Sequence, residues 1–327
     1  MPGQAISWGF LVLFIRQAKH LVWALNTTEE ELANVLHNQA TFVEELQITS
    51  NGKVRKVLNV TGALRNYQKL LYRNVLLPKL RPSKHSHGGV VGRSILTNVK
   101  PHIGHRYLFS TDISSFYPSI HHSRVYKLFV NPLGCSPDVA RLCTRLTTFN
   151  HHLALGLITS PILANQLLEP IDVRIGSLCD RNGLAYTRFV DDISLSAPFD
   201  LGKSGFARLV ERILNQAGFE INRKKHRFGR ITDGIAITKI RIVNGHPDAT
   251  LEYLHQVWRE LLAAERLSKG LPFSGVFRLR SQLLGKIQFI RWVNPVRKKR
   301  FAAKFKSIDW KKHGEEALRQ RIVSRIK

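Results

Sequence analysis

Two adjacent carboxylates, Asp191 and Asp192, lie in the middle of residues 187–196. β-Branched and aromatic residues precede the pair, and alternating Ile or Leu and Ser follow it, a pattern typical of a β-hairpin with the two acids at its turn. Two carboxylates at a tight turn can hold a divalent metal ion. Aspartate is also a favoured turn residue, and on this stretch alone an ordinary surface turn is the favoured interpretation.

A third carboxylate, Asp112, ends a predicted strand over residues 106–112, 79 residues before Asp191. The connecting segment has helical patterns at residues 139–149 and 162–179, so the strand and the hairpin are expected to be neighbours in one sheet. Three clustered carboxylates repel one another unless cations lie between them. The set therefore predicts a pair of Mg²⁺ ions, roughly 3.5–4 Å apart, that supports phosphoryl transfer, with Mn²⁺ as a possible substitute.

The composition indicates a polyanionic partner. The 327 residues include 50 Lys and Arg against 23 Asp and Glu, a net charge of +27, and self-repulsion on this scale opposes the compact state unless nucleic acid or an anionic membrane balances it. The three cysteines form no Cys-x-x-Cys pair, which favours a reduced cytoplasmic compartment without structural zinc. Charged and polar residues interrupt the apolar run at residues 8–25, which predicts an amphipathic helix and neither a signal peptide nor a membrane span.

Local patterns predict the elements before Asp112. Thr27 with Glu30, or Thr28 with Glu31, has capping-box spacing for a helix that runs to about His37. Asn51-Gly52 predicts a hairpin between short strands within residues 46–58. A helix is expected over residues 59–80, ended by Pro78 and Pro82.

Residues 83–95 form a Gly-rich basic segment that does not match a P-loop. Its glycines would let the backbone approach a phosphate or a base, and Arg93 offers a forked charge suited to phosphate. His85 and His87 could ligate zinc, but a solvated loop is favoured because no cysteine is nearby.

These residues resemble the reverse transcriptases, and within them the bacterial retron type, over about residue 46 to the end. The matching motifs, in the family's order, are Gly92-Arg93-Ser94-Ile95, Asp112-Ile113-Ser114-Ser115-Phe116-Tyr117-Pro118-Ser119, Gly156 to Pro161 followed by Leu163-Ala164-Asn165, Phe189-Val190-Asp191-Asp192 and Gly218-Phe219-Glu220-Ile221-Asn222-Arg223-Lys224-Lys225. Asn98-Val99-Lys100-Pro101-His102 resembles the Asn-Ala-x-x-His signature of retron enzymes.

The resemblance implies a role for each matched residue. Asp112 and Asp191 would bind both catalytic metals with help from Asp192, and the Ile113 carbonyl could complete a metal shell. Tyr117 would be the gate that excludes ribonucleotides, its alternative being a core aromatic. The remaining implied contacts are Lys225 near the pyrophosphate, Gly156 near the nucleotide, Arg93 and Arg55 on template and nucleotide, and Asn98 and His102 on RNA.

Three positions depart from the family pattern. Phe189 replaces a tyrosine, Leu155 replaces a glutamine expected near the nucleotide, and Ile237-Thr238-Lys239 stands where retron enzymes carry Val-Thr-Gly, a motif associated with recognising their own structured RNA. The RNA partner is therefore expected to be divergent.

The C-terminal part is predicted to be helical from Thr250, with breaks at Gly270, Pro272 and Pro295. Residues 278–327 hold 16 Lys and Arg against three Asp and Glu. The run Arg297, Lys298, Lys299 and Arg300 could be a solvated tail. Interleaved aromatic residues instead favour a folded thumb that grips an RNA–DNA duplex or an RNA stem; these residues are Trp292, Phe301, Phe305 and Trp310.

The sequence thus predicts an α+β right-hand polymerase: an N-terminal helical extension (residues 1–45), fingers and palm (46–249) and a helical basic thumb (250–327). The implied enzyme is an RNA-directed DNA polymerase of the retron type that copies part of a cognate non-coding RNA from dNTPs. Its product would be an RNA–DNA hybrid (msDNA) used in anti-phage defence with an effector protein. The alternatives are a defence-associated reverse transcriptase with another primer or untemplated synthesis, and a catalytically silent RNA-binding scaffold.

Overall fold

The computed structural model describes residues 15–50, 53–268 and 276–310. The helices are α1 (Ala18–Leu25), α2 (Glu29–His37), α3 (Gly62–Leu71), α4 (Leu77–Lys79), α5 (Ile95–Val99), α6 (His122–Val130), α7 (Pro137–Thr147), α8 (Ser160–Arg181), α9 (Leu201–Ser204), α10 (Phe206–Gln216), α11 (Leu251–Ser268), α12 (Val276–Val293) and α13 (Lys298–Lys306). The strands are β1 (Val43–Ser50), β2 (Lys53–Val60), β3 (Tyr107–Asp112), β4 (Ala185–Phe189), β5 (Asp192–Ala197), β6 (Arg227–Arg230), β7 (Ile240–Val243) and β8 (His246–Ala249).

The chain divides into two compact units. The first comprises the residues up to Ser94 together with Phe109–Leu195 and Leu201–Arg227, and the second comprises Ile95–Leu108, Ser196–Asp200 and the residues from Phe228 onward. The domain boundaries expected from the sequence, at residues 45 and 249, remain predictions.

Capping chemistry sets the start of the second helix as predicted. The Thr28 hydroxyl accepts from the Glu31 backbone N–H at 3.2 Å, and the Glu31 carboxylate accepts from the Thr28 N–H at 3.2 Å. This reciprocal pair satisfies two amide donors at the start of α2. Of the amphipathic helix predicted at residues 8–25, the structure describes α1, with Leu21, Ala24 and Leu25 buried, and residues 8–14 lie outside the described part.

Strands β1 and β2 pair antiparallel from Val43↔Val60 to Ser50↔Lys53. The predicted hairpin is confirmed, although each strand has eight residues and the Asn51-Gly52 connection lies outside the described residues. Because β2 continues to Val60, the following helix begins at Gly62 and not at residue 59. Pro78 lies inside α4 and does not end it; a π-helical turn, Tyr72–Leu76, precedes this short helix.

A four-stranded sheet has the order β4-β5-β3-β6. The predicted strand ending at Asp112 and the predicted hairpin are therefore neighbours, as expected. Helices α7 and α8 correspond to the two predicted between them, and α6 was not predicted. In the first unit, α8 packs against β4 and α10, and Cys135, Cys143 and Cys179 are buried free thiols.

The second unit has two apolar cores. One surrounds the β7–β8 hairpin and includes Val99, Leu108 and Ile240. The other joins α11, α12 and α13, where Phe301 is buried and its ring meets Trp258 edge-on at 5.6 Å. The basic run thus leads into a folded helix, α13, which ends at Lys306, as its aromatic neighbours predicted, and residues 311–327 lie outside the described part.

Across the described residues, no helix is both long enough and apolar enough to cross a bilayer.

Candidate metal and nucleotide site

Three carboxylates meet at the ends of neighbouring strands. Asp112 is the last residue of β3, Asp191 lies in the turn after β4, and Asp192 opens β5. One oxygen from each carboxylate lies within 4.8 Å of the others. The convergence expected from the sequence is present, with the turn centred on Val190 and Asp191, one residue earlier than predicted. We refer to Asp112, Asp191 and Asp192 as the carboxylate site.

Backbone hydrogen bonds fix this arrangement from both sides of Asp112. The Ile113 N–H donates to the Asp191 carbonyl at 3.0 Å, and the Asn222 N–H donates to the Asp112 carbonyl at 2.8 Å. An isolated antiparallel bridge joins Ile113 to Ile221. The segment after α10 therefore holds Asp112 against the hairpin turn.

The carboxylate site resists full ionisation. Burial, followed by the Asp112 charge, raises the pKa of Asp191. Burial raises the pKa of Asp192 to about 7, with further contributions from its hydrogen bond to Asp112 and from both neighbouring charges. Three negative charges in a partly dehydrated space are unstable without positive charge between them.

Two cationic side chains partly offset this repulsion. The Lys225 ammonium forms an ion pair with the Asp112 carboxylate. The charges of Lys225 and Arg55 both lower the pKa of Asp191, although burial and Asp112 outweigh them. Arg55 is exposed on β2, so its charge lies within electrostatic range of the site while its side chain still faces solvent.

Tyr117 is close enough to the site to feel its charge. Burial, followed by the Asp191 carboxylate, raises the pKa of Tyr117 to about 12, so the phenol is neutral at ordinary pH. Its backbone is held by the Ile120 N–H, which donates to the Tyr117 carbonyl at 3.0 Å. Tyr117 is half-buried, and the neighbouring Phe116 is the buried aromatic of this segment.

The donor set fits a hard divalent cation. Each member of the site offers carboxylate oxygens, which are the ligands that Mg²⁺ and Mn²⁺ accept, and no His or Cys belongs to the group among the described residues. Burial and the neighbouring carboxylates raise the pKa values of Asp191 and Asp192, and a cation bound between the acids would favour their ionised forms.

Gly156 packs against the backbone of β2. Its φ is +107°, and a Cβ at this position would overlap the Leu58 carbonyl oxygen. The Leu58 N–H donates to the Leu155 carbonyl at 2.8 Å. Glycine is therefore required for this loop to pack closely against β2 within the chain. The expected approach of Gly156 to a nucleotide stays a prediction.

The Gly-rich segment is not the solvated loop that the sequence suggested. His85 and His87 are each 8% exposed, and the ring of His85 bonds the Tyr186 carbonyl at 3.0 Å. Arg93 donates through one guanidinium nitrogen to the carbonyls of Ser83, Lys84 and Ser86. That nitrogen links three carbonyls of the same segment, and the expected contact of Arg93 with template and nucleotide stays a prediction.

Asn98 and His102 are both 0% exposed in the second unit. Asn98 donates to the Thr238 hydroxyl at 3.1 Å, and the His102 ring bonds the Ser196 hydroxyl at 2.7 Å. Both side chains are thus bonded within the second unit, and their predicted contact with RNA stays a prediction. Asn98 connects its own motif to Thr238, the centre of the divergent Ile-Thr-Lys motif.

The basic run contains two internally engaged arginines. Arg297 forms an ion pair with the buried Asp248 at 3.1 Å, and the Arg300 guanidinium lies 4.3 Å from the ring centre of Trp258. Lys298 is partly exposed and Lys299 is exposed. Contact between this run and RNA remains a prediction.

Sequence reasoning gave no role to a buried polar cluster under the hairpin. Arg188 and Asp172 are both 0% exposed and form a two-pronged ion pair, with distances of 2.9 Å from Nε to Oδ1 and 2.7 Å from Nη2 to Oδ2. A signal was present: Asn165 and Asp172 share the helical spacing of the buried Leu168, Ile175 and Cys179. Polar residues on a buried helical stripe require buried partners.

Comparison with known proteins identifies the family. Residues 45–256 match the family described as reverse transcriptase (RNA-dependent DNA polymerase). This chain belongs to the reverse transcriptase family. The match supports a polymerase-type fold with mixed helix and strand content, whereas the palm, fingers and thumb and the roles of the site residues stay predictions.

Several curated relatives of this reverse transcriptase are retron proteins. The chain is 28% identical over 237 residues to the retron Se72 reverse transcriptase of Salmonella heidelberg, covering 69% of this chain and 62% of the relative. It is 29% identical to the retron Mx65 reverse transcriptase of Myxococcus xanthus over 71% of this chain and 57% of the relative. It is 33% identical to the retron Ec86 reverse transcriptase of Escherichia coli over 53% of each chain. The retron-type resemblance is confirmed, and the matches span about half to three-fifths of these relatives' length.

Proposed function

We propose that this chain is an RNA-directed DNA polymerase of the retron type. The observation that carries the proposal is the convergence of Asp112, Asp191 and Asp192 within 4.8 Å in a member of the reverse transcriptase family. Lys225 forms an ion pair with Asp112, and the Asp191 charge, after burial, contributes to the raised pKa of Tyr117. A polymerase needs metal ligands, a cation and a nucleotide contact at one point, and this group contains side chains suited to each of those tasks.

The proposal assigns the elements to a right hand. The palm is the four-stranded sheet with α8 and α10, the fingers include the β1–β2 hairpin, and the thumb is the helical group α11 to α13. The basic charge of the thumb suits the backbone of an RNA–DNA duplex.

In the proposed reaction, Asp112 and Asp191 would hold two Mg²⁺ ions, with Asp192 and the Ile113 carbonyl assisting and Mn²⁺ as a substitute. Bound metal supplies activation of the primer oxygen and neutralisation of the leaving pyrophosphate. The protein positions the acids through the bonds at Ile113 and Asn222. Lys225 exchanges its ion pair with Asp112 for the phosphates of the incoming dNTP, and Tyr117 excludes a 2′-hydroxyl from the sugar site.

The proposed template is part of a cognate structured non-coding RNA, primed from a 2′-hydroxyl of that RNA. The product is a branched RNA–DNA hybrid that stays with the protein in the cytoplasm and acts in anti-phage defence with an effector protein. The support is the likeness to three retron reverse transcriptases.

Primer extension on an RNA template tests the polymerase assignment. Wild-type protein with Mg²⁺ or Mn²⁺ is expected to extend a DNA primer, and the Asp191→Asn, Asp192→Asn double variant to lose on the order of 10³-fold in rate. Asp180→Asn, which alters an exposed carboxylate on α8, is the matched control and should keep wild-type activity. Equal extension by the double variant and wild type would remove the carboxylate site from the chemistry.

Sequencing the nucleic acid that copurifies with the protein tests the retron assignment. A branched species from one structured RNA is expected. DNA with no RNA branch would favour the alternative of another primer or untemplated synthesis, for which Leu155 and the Ile237-Thr238-Lys239 segment are the motivating departures. Phage protection that survives the double variant would instead indicate a silent RNA-binding scaffold.

A further inference from the structure

The buried polar cluster beneath the hairpin joins three segments of the first unit. Arg188 on β4 binds Asp172 on α8 through two hydrogen bonds, and it also donates to the Asn165 side-chain oxygen at 3.1 Å. Tyr186 donates to Asp172 at 2.7 Å, and Ser86 donates to Asn165 at 2.9 Å. We call these five residues the Arg188 cluster.

The cluster reaches the turn that carries Asp191. Arg188 Nη1 donates to the Val190 carbonyl at 2.7 Å, and that carbonyl belongs to the peptide group that leads into Asp191. Val190 has φ of +60°, a left-handed conformation that is a genuine outlier for a β-branched residue. Such a conformation persists only where surrounding contacts enforce it. The Arg188 bond is one of these contacts.

The Gly-rich segment supplies a second restraint on the same turn. The His87 N–H donates to the Arg188 carbonyl at 2.7 Å, and the Arg188 N–H donates to the His85 carbonyl at 2.8 Å. Asn165 donates to the Gly88 carbonyl at 2.9 Å. A Cβ on Gly88 would overlap the backbone of Val190. The segment thus lies directly against the turn and is tied to the same cluster.

Stability alone does not account for a charged pair at this place. Removing two ions from water costs enough that well-packed apolar residues of similar volume often serve stability as well or better. A guanidinium differs from any apolar replacement because its planar fork can bind Asp172, Asn165 and the Val190 carbonyl in fixed directions at once. The distinctive contribution of the cluster is therefore the geometry of the turn.

We propose that Arg188, held by Asp172, is a positioning residue that sets the place of the Asp191 carboxylate relative to Asp112. The inference rests on the proposed function, since it gives the cluster a task in metal binding by the carboxylate site. Groups that orient metal ligands commonly change metal affinity by roughly 10- to 100-fold when removed. Arg188 acts through Asp191 and the Val190 peptide and does not itself contact the reacting atoms.

An apolar replacement separates positioning from stability. The triple variant Arg188→Met, Asp172→Leu, Tyr186→Phe removes the ion pair and the hydroxyl that would otherwise lose its partner. It is expected to unfold at a urea concentration no lower than wild type, yet to bind Mn²⁺ at least tenfold more weakly by calorimetry and to need at least tenfold more Mg²⁺ for half-maximal primer extension. Tyr186→Phe alone is the matched control and should bind Mn²⁺ as wild type does, because the bonds of Arg188 to Asp172, Asn165 and the Val190 carbonyl remain.

A second variant tests the same proposal if the triple variant does not fold. Arg188→Lys keeps the charge but lacks the fork, so a folded sample, verified by circular dichroism, should show the same tenfold loss of Mn²⁺ affinity. Wild-type Mn²⁺ affinity in the folded triple variant, or in folded Arg188→Lys, would overturn the proposal and leave a purely structural ion pair. If wild type binds Mn²⁺ but extends no primer, the proposed function fails while the calorimetric comparison still decides the positioning role.

Discussion

Two clusters of buried charge lie along one hairpin and are built on opposite principles. At the turn, the carboxylate site gathers three acids whose mutual repulsion and burial raise the pKa values of Asp191 and Asp192. On β4, just before the turn, Arg188 forms an ion pair with Asp172 of α8, and two hydrogen bonds of 2.7 and 2.9 Å join the opposite charges. Like charges in close contact favour the binding of an oppositely charged ligand, such as a cation. Opposite charges that are hydrogen-bonded to each other instead fix the local backbone geometry.

The two clusters should respond in opposite ways to removal of one charge. Asp172→Asn leaves the Arg188 charge buried and poorly compensated, which is expected to lower the free energy of unfolding by roughly 3–5 kcal/mol. Asp191→Asn relieves repulsion and is expected to leave that free energy unchanged or higher. Urea unfolding without divalent metal measures both, with Asp180→Asn as the surface control. Equal destabilisation by the two variants would contradict the distinction.

Divalent metal should stabilise the protein through the carboxylate site. A ligand that binds only the folded state adds about 2.7 kcal/mol at a concentration 100 times its dissociation constant. Wild-type protein is therefore expected to melt at a higher temperature as Mg²⁺ or Mn²⁺ is added, and Asp191→Asn to lose most of that shift. Thermal melts over a metal series test this, with Asp180→Asn expected to follow wild type. A full metal shift in Asp191→Asn would place the binding elsewhere.

Much of the hairpin could be predicted from the sequence, but few of the buried side-chain contacts that hold it could. The capping box at Thr28 and the strand ending at Asp112 depend on neighbouring residues, and local patterns specify them. The burial of His102 depends on Ser196, 94 positions away, and that of Arg188 depends on Asp172, 16 positions away on α8. Without knowledge of these contacts, the sequence patterns therefore predict ligand-facing or solvated side chains for His85, Asn98 and Arg93.

The raised pKa of Asp192 should make the folded state less stable as pH rises. The pKa of Asp192 is about 7 in the folded state against an ordinary 3.8, so the folded protein binds the proton more tightly. The contribution of Asp192 to the free energy of unfolding therefore falls as pH rises from about 4 to about 7. Without metal, the stability of Asp192→Asn relative to wild type should increase from pH 5 to pH 8 by urea unfolding. Taking this difference cancels the opposite effect of His87, whose pKa burial lowers to about 4.

If that difference stays flat with pH, Asp192 titrates as an ordinary exposed acid, and the carboxylate site does not store repulsion. Repeating the series with saturating Mg²⁺ should remove most of the slope, because a bound cation favours the ionised carboxylates.

The smallest expected effect concerns the turn at Thr238 and Lys239. Thr238 and Lys239 have φ values of +44° and +70°, and Ile237 and Ile240 exchange backbone hydrogen bonds of 2.7 and 2.9 Å around them. Positive φ at both central residues is the pattern of a type I′ turn, which favours glycine at the second position. The left-handed backbone costs a residue other than glycine roughly 1–2 kcal/mol, offset in part by the entropy that glycine loses on folding.

Lys239→Gly should therefore raise the free energy of unfolding by about 0.5 kcal/mol, measured as a small rise in the urea midpoint. Lys224→Gly, at a position without positive φ, is the matched charge-loss control and should not stabilise. An unchanged or lower urea midpoint for Lys239→Gly would show that the left-handed backbone of this turn is not strained.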